Sequence, residues 1–389
     1  MRRRPTRPLN VLLAAAGAAV LACACATPRV DGPAAHPADA LLNRSPLDGG
    51  TASPLVDPDD ILELSPEMIA FLDEHVNRSG SQNERLALLI RAIIGGDRFV
   101  LSYDDSTRTA RETFRDRRGN CISFTNMFVA MARNLDLNAD FQEVEIPPDW
   151  SLSGETYLLS KHVNAVVALK GRHPRVVDFN IADYDSDNEM RIIDDARARA
   201  HFYNNLGVEH LLAGDMQQAY AYLRQSLVED LTFGSAWVNL GILHRREGYV
   251  DLAEAAYLTA LDYQASDLLA MSNLASLYQQ EGREEAAAHY LSEVQIHRLR
   301  NPYYRYQLAN EAFNEGDYES AIENLKVAIR KRSEDDRFFY LLSLSYLMSG
   351  DRGQAQTWMK KAEEVASQGS DQEKYHHKLD LLKSQQAAR

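Results

Sequence analysis

Trp237-Val238-Asn239-Leu240-Gly241, followed in register by Ala253, Tyr257 and Ala260, is the stretch on which the fold of the second half of this chain turns. Outward from it, the same spacing recurs about every 34 residues from about Ala200 to Gly369. Leu206, Leu240, Leu274, Leu308 and Leu342 share one position of the unit, and Gly214, Gly248, Gly282, Gly316 and Gly350 share a second. Ala219, Ala253, Ala287, Ala321 and Ala355 share a third. A glycine between amphipathic stretches suits a tight turn with positive φ, and an alanine lets two helices approach closely. Leu223, Tyr257, Leu291, Leu325 and Met359 come next in phase and are expected to fill the space beside each alanine. Ordinary helical bundles carry no fixed supersecondary period, whereas stacked two-helix repeats do. Within 370–389, Tyr375 to Gln386, with Leu379, Leu381 and Leu382, reads as a helix capping the apolar end of the stack, and its His376-His377 pair as solvated surface.

These positions resemble the tetratricopeptide repeat, with five copies over 200–369. The chain departs from the family pattern where Ala275, Ala309 and Ser343 replace the glycine seen at Gly207 and Gly241, and at Ala265, where a helix-breaking proline is missing. The resemblance implies an all-α solenoid whose concave surface holds a protein or peptide ligand. Tyr306, Tyr340, Phe313 and Arg245 are the candidate peptide-binding residues, since aromatic and arginine side chains dominate binding hot spots. The competing reading makes the aromatics inter-helix core and Arg245 a solvated residue.

At the other end, Arg2, Arg3, Arg4 and Arg7 precede an apolar run from Val11 to Leu21, which suits an export signal over 1–22 better than a membrane span. Val20-Leu21-Ala22-Cys23 resembles the lipobox of bacterial lipoproteins, implying diacylation of Cys23, with Cys25 as the alternative. Two or more acyl chains anchor a protein stably without a span. By the same resemblance, Ala24 after Cys23 implies the periplasmic face of the outer membrane. Residues 23–58 are rich in Pro, Gly, Ala and Ser and read as a flexible tether. The formal charge of −14 becomes −18 once the four arginines leave with the signal, which argues against nucleic acid as a partner.

In 59–195 the pattern runs from helical to strand-like. Ser65-Pro66 starts a helix, Ala87 to Ile94 suits a second, and Phe99 to Tyr103 and Phe141 to Ile146 read as strands. His162 to Leu169 and Arg175 to Asn180 flank a Lys170-Gly171 turn, so a symmetric hairpin sets His162 opposite Asp178. Asn120 is a good N-cap, which puts Cys121, the lone cysteine of the folded body, on the first turn of a helix. A helix N-terminus and a neighbouring imidazolium both favour thiolate over thiol. Each of the three residues alone has a bland reading, as a buried hydrophobe, a strand-end histidine and a turn acid.

The order Cys121, His162, Asp178, with Gly-x-Cys leading into an apolar helix and a strand opening with histidine, resembles the transglutaminase-like superfamily. Departures are Val163-Asn164 where that family often has Ala-Trp, and Asn120 where aspartate is common. The resemblance implies an α+β papain-like domain preceding the all-α repeats. In it Cys121 attacks an amide carbonyl, His162 shuttles the proton and Asp178 orients His162, with no cofactor and no metal. Two functions follow as expectations. One is a thiol hydrolase or acyltransferase acting on a protein or peptide recruited by the repeats; the other is a non-catalytic scaffold for envelope protein assembly.

Overall fold

The computed structural model describes residues 38–43, 45–47, 49, 50, 52–94, 99–145, 162–179, 189–366 and 374–380. Its first described element is a short helix, α1 (Ala38–Leu42), whose Leu41 and Leu42 are buried in the core of the repeats. The Tyr220 hydroxyl donates to the Leu42 carbonyl at 2.7 Å, and Gln218 exchanges bonds with the Ser53 backbone at 2.7 and 3.2 Å. In the second half of the segment expected to be a flexible tether up to residue 58, two leucines enter the core of the repeats and main-chain groups bond to the first repeat. Cys23, Cys25 and the signal segment lie outside the described residues.

Local chemistry accounts for the next elements. After a 3-10 turn (Pro58–Leu62), Ser65 caps α2 (Pro66–His75) through its hydroxyl, and Ser81 caps α3 (Gln82–Ile93) likewise. The strand expected from Phe99 shortens to β1 (Ser102–Tyr103), because the Phe99 ring packs between Phe71 and Phe114 instead. A capping box of Thr109 and Glu112 opens α4 (Ala110–Asp116), and β2 (Arg118–Gly119) pairs in parallel with β1. Every residue of α5 (Cys121–Asn134) from Ile122 to Ala132 is buried, so this helix is wrapped on all sides.

β3 (Asn138–Glu145), β4 (His162–Ala168), β5 (Arg175–Val177) and β6 (Glu189–Ile193) form an antiparallel sheet in the order β5-β4-β3-β6. Val163, Ala165 and Val167 join the core with α5, and His162 and Asn164 alternate with them. The β4–β5 ladder pairs Ala165 with Val177, and continuing it sets Asn164, not His162, across from Asp178. The expected register is thus corrected by two residues. A shift of two keeps every side chain on its face, so His162 and Asp178 remain diagonal neighbours.

Five helical hairpins follow: α6 (Asp195–Ala213) with α7 (Met216–Glu229), α8 (Gly234–Arg246) with α9 (Val250–Tyr263), α10 (Leu268–Gln280) with α11 (Glu284–Arg300), α12 (Pro302–Glu315) with α13 (Tyr318–Lys331), and α14 (Asp336–Met348) with α15 (Arg352–Val365). The glycine between the helices of each pair has φ between +71° and +94°, and the five alanines are buried. Leu223, Tyr257, Leu325 and Met359 fill the core beside them, but Leu291 is 46% exposed and is a correction to the expected pattern. Tyr290, one residue earlier, packs against Tyr278 and takes the inward place. A helix over 374–380, α16, buries Tyr375 and Leu379 against Phe339 and Met359, while His376 and His377 are exposed. Leu381, Leu382 and the rest of the expected cap lie outside the described residues.

The sheet and the first repeat share one core, to which Phe202, Tyr203 and Tyr222 contribute. Beside that core Glu143 of β3 is buried and accepts from Arg197 at 2.7 Å and His201 at 2.6 Å, both on α6, while Arg191 of β6 reaches its other oxygen. Burial would raise the Glu143 pKa, but His201 and Arg197 outweigh it and hold the carboxylate well below its usual range.

Candidate functional site

Cys121 is the first residue of α5. Asn120 caps the helix by accepting from the Ser123 N–H at 3.1 Å, and its amide donates to the Thr107 hydroxyl at 2.8 Å. Gly119 is needed there because a Cβ would lie 2.6 Å from the Ser123 Cβ. The close approach of β2 to the first turn of α5 explains the Gly-x-Cys spacing.

His162, at the start of β4, makes a 2.6 Å hydrogen bond from Nε2 to Asp178 Oδ2, and both side chains are buried. Cys121 lies close enough to the same imidazole to influence its titration. Burial pulls the His162 pKa down, yet the hydrogen bond to Asp178 and the influence of Cys121 prevail and lift it to about 10. Thr125, one turn into α5, donates to the Val163 carbonyl at 3.1 Å and so ties the helix to β4 beside this pair. A group that the sequence reading passed over completes the arrangement. Asn164 donates from Nδ2 to Asp178 Oδ2 at 3.0 Å, while its own buried Oδ1 has no partner among the described residues. Its signal was legible, since residues two apart on a strand share a face.

Cys121 lines a cleft of about 200 Å³ together with Asn204, Glu209 and Leu212 of α6 and Asn239 of α8. The repeats thus form part of the wall around Cys121, which spacing within either half could not reveal. The four residues expected to bind peptide on the repeats stand elsewhere. Tyr306 packs on Phe338 with ring centroids 5.2 Å apart, Phe313 on Tyr318 at 5.5 Å, and Tyr340 stacks on Tyr375 at 5.0 Å. Arg245 donates to the Ser276 hydroxyl of the next repeat at 2.9 Å. The three aromatics are half-buried and make packing contacts with neighbouring rings, and Arg245 joins two repeats.

Family models for the tetratricopeptide repeat match residues 234–267 and 306–370, so the second, fourth and fifth helical hairpins are tetratricopeptide repeats. The TPR repeat-containing protein YvcD of Bacillus subtilis is 31% identical over 159 residues, and the chain spans 32% of that relative's length while the match covers 39% of this one. Among solved structures, a crystal structure of MamA protein is 20% identical over 43% of this chain and 91% of its own, with a TM-score of 0.25. That of YrrB, described as a TPR protein with an unusual peptide-binding site, is 17% identical over 42% of this chain and 84% of its own, with a TM-score of 0.24.

Proposed function

We propose that the protein is a cysteine hydrolase or acyltransferase whose N-terminal part is a papain-like, transglutaminase-like domain, acting on an amide of a protein or peptide that the repeats recruit. One observation carries this reading: Cys121, at a helix start and lining a cleft, lies beside a histidine that a buried aspartate holds at 2.6 Å. Among the ring nitrogens Nε2 faces Asp178, leaving Nδ1 for the sulfur. The thiolate attacks the amide carbon, and the backbone N–H of Cys121 donates to the developing oxyanion. The His162 imidazolium gives its proton to the leaving nitrogen, which departs as ammonia or an amine. Neutral His162 then takes a proton from water, which hydrolyses the thioester and regenerates the thiol; an amine in place of water makes the same step an acyl transfer. Hydrolysis is the preferred outcome.

Cys121→Ala is expected to abolish both amidase activity and labelling of this position by iodoacetamide at neutral pH. A wild-type thiol that labels no faster than free cysteine would remove the enzyme reading. The repeats by themselves favour a second reading, a scaffold that assembles other proteins. Pull-down with the Cys121→Ala chain separates the two, because an enzyme retains its substrate better as that variant than as wild type, whereas a scaffold retains its partners equally. We also propose anchoring through a lipid on Cys23, or on Cys25, at the periplasmic face of the outer membrane. Incorporation of labelled palmitate that Cys23→Ser abolishes supports the first cysteine, and unchanged incorporation rejects it.

A further inference from the structure

The Cys121 cleft is built from both halves of the chain. Tyr103 and Asp105 stand on the side of β1, and α6 and α8 of the first two repeats supply Asn204, Glu209, Leu212 and Asn239 opposite. Tyr103 and Leu212, 60% and 59% exposed, are large apolar side chains on the two sides of the opening. Deeper in, Asn239 donates to Asn204 Oδ1 at 2.8 Å, and both amides are buried. Such paired amides can bond to the main chain of an extended segment without reading its side chains.

The charge of this lining has one sign. Asp105 and Glu209 are carboxylic acids, and among the described residues no lysine, arginine or histidine lines the cleft. The nearby Arg108 is engaged by Asp104 at 2.7 Å and Asp116 at 3.6 Å. Glu209 is fixed in place, since its Oε1 accepts from the Thr107 N–H at 2.7 Å. Burial is the largest influence on that carboxyl and raises its pKa against the hydrogen bonds from Thr107 and the weaker pull of His210 and Arg108, so a further cation beside it would be favoured.

We propose that the first two repeats are part of the Cys121 site itself, and that Glu209 and Asp105 select an extended segment carrying a positively charged residue next to the acyl group. The selection rests on the enzyme reading above, but the field in the cleft is measurable without turnover. Full-length protein is treated with cationic 2-(trimethylammonium)ethyl methanethiosulfonate or anionic sulfonatoethyl methanethiosulfonate, and modification of the Cys121 peptide is followed by mass spectrometry. In each case the sulfur of Cys121 attacks the reagent's sulfenyl sulfur, forming a mixed disulfide and releasing methanesulfinate.

The cation-to-anion rate ratio is expected to exceed that of the urea-unfolded chain by about fivefold, and to fall toward the unfolded value at ionic strengths near 1 M, where screening acts over roughly 3 Å. Glu209→Gln combined with Asp105→Asn is expected to remove the excess; glutamine retains the oxygen that accepts from Thr107, and a melting curve checks that the variant is folded. A ratio equal to that of the unfolded chain, one insensitive to salt, or one unchanged in the folded double variant overturns the proposal. Ammonia release from acetyl-Lys-Gln-Gly-amide and acetyl-Glu-Gln-Gly-amide separates the two readings. Turnover of both peptides at equal rates, with a flat reagent ratio, sinks the selectivity and leaves the enzyme; a raised ratio with no turnover of either sinks the enzyme and leaves the acidic cleft.

Discussion

His162 is held by the buried Asp178 carboxylate, and that placement makes the fold depend on pH in a definite direction. Its folded pKa, about 10, lies above the value of about 6.5 expected in the unfolded chain. The imidazolium therefore contributes stability in full below about pH 6.5, and that contribution is lost as pH rises through about 10. His162→Gln is expected to cost about 3 kcal/mol near neutrality, as for one partner removed from a buried pair, and less as pH approaches 10. Urea midpoints of the two proteins across this range check it, and a difference that grows with pH contradicts the assignment. Asn164 adds a second expectation at this scale. Turning its amide over would put Oδ1 against the Asp178 carboxylate, so the observed orientation leaves Oδ1 buried and unsatisfied, at a cost of about 1–3 kcal/mol. A polar group retained at such a cost holds Asp178 for His162. Asn164→Ala is expected to lower the His162 pKa, read from the NMR titration of its ring protons, and an unmoved titration would reduce Asn164 to packing. Cys121, His162 and Asp178 could be singled out from the sequence because helix start and strand alternation are local signals. Register was not local, since it depends on where the β4–β5 ladder closes, and the reading came out two residues away.

Each helical hairpin solves one packing problem, the close approach of its two helices, and the repeats solve it in different ways. At Gly241 an added Cβ would collide with the Tyr257 ring, whereas in the fourth repeat Ala309 stands at that position opposite Leu325. In the fifth, Ser343 stands there and its hydroxyl donates to the Ala355 carbonyl at 2.7 Å. Gly241→Ala is therefore expected to destabilise the protein by about 1–3 kcal/mol through overpacking, and adding Tyr257→Leu, the fourth repeat's solution, to recover part of the loss. Losses that simply add in the double variant would show that the two positions are not coupled. The hairpins were legible because glycine, alanine and a large apolar residue recur at fixed spacing. Leu291 was not, because which residue of α11 turns inward is set by the Tyr278 ring on the neighbouring helix. The strand β6 also escaped notice, as five residues carry little pattern of their own and this one is specified by its pairing with β3.

At the scale of the whole molecule, one core crosses the boundary read from the sequence near residue 195. The sheet, α5 and the first repeat share a core and are pinned by Glu143, Arg197 and His201, so the two halves of the chain meet as one unit around the Cys121 cleft. A second core runs from the first repeat to Ala287 and Tyr290 of the third, and the next begins only at Ala309 of the fourth. Between them α11 turns Leu291 and Ile296 outward. Stability in a solenoid is approximately a sum of repeat and nearest-neighbour terms, so a weak interface divides the stack where it falls. Amide hydrogen exchange is then expected to resolve two units: α5 to α9 opening at high free energy, and α12 to α15 opening together at a lower one. Glu143→Gln tests the division from one side only. Losing the carboxylate leaves His201 buried without its counter-charge and Arg197 with Asp230 at 2.8 Å as its remaining one, for a cost of about 3 kcal/mol. That cost should appear in the exchange of α5 to α9 and leave α12 to α15 unchanged. Equal loss of protection in all of these helices would mean that the stack unfolds as one body, and that the cleft and the distal repeats answer to the same transition.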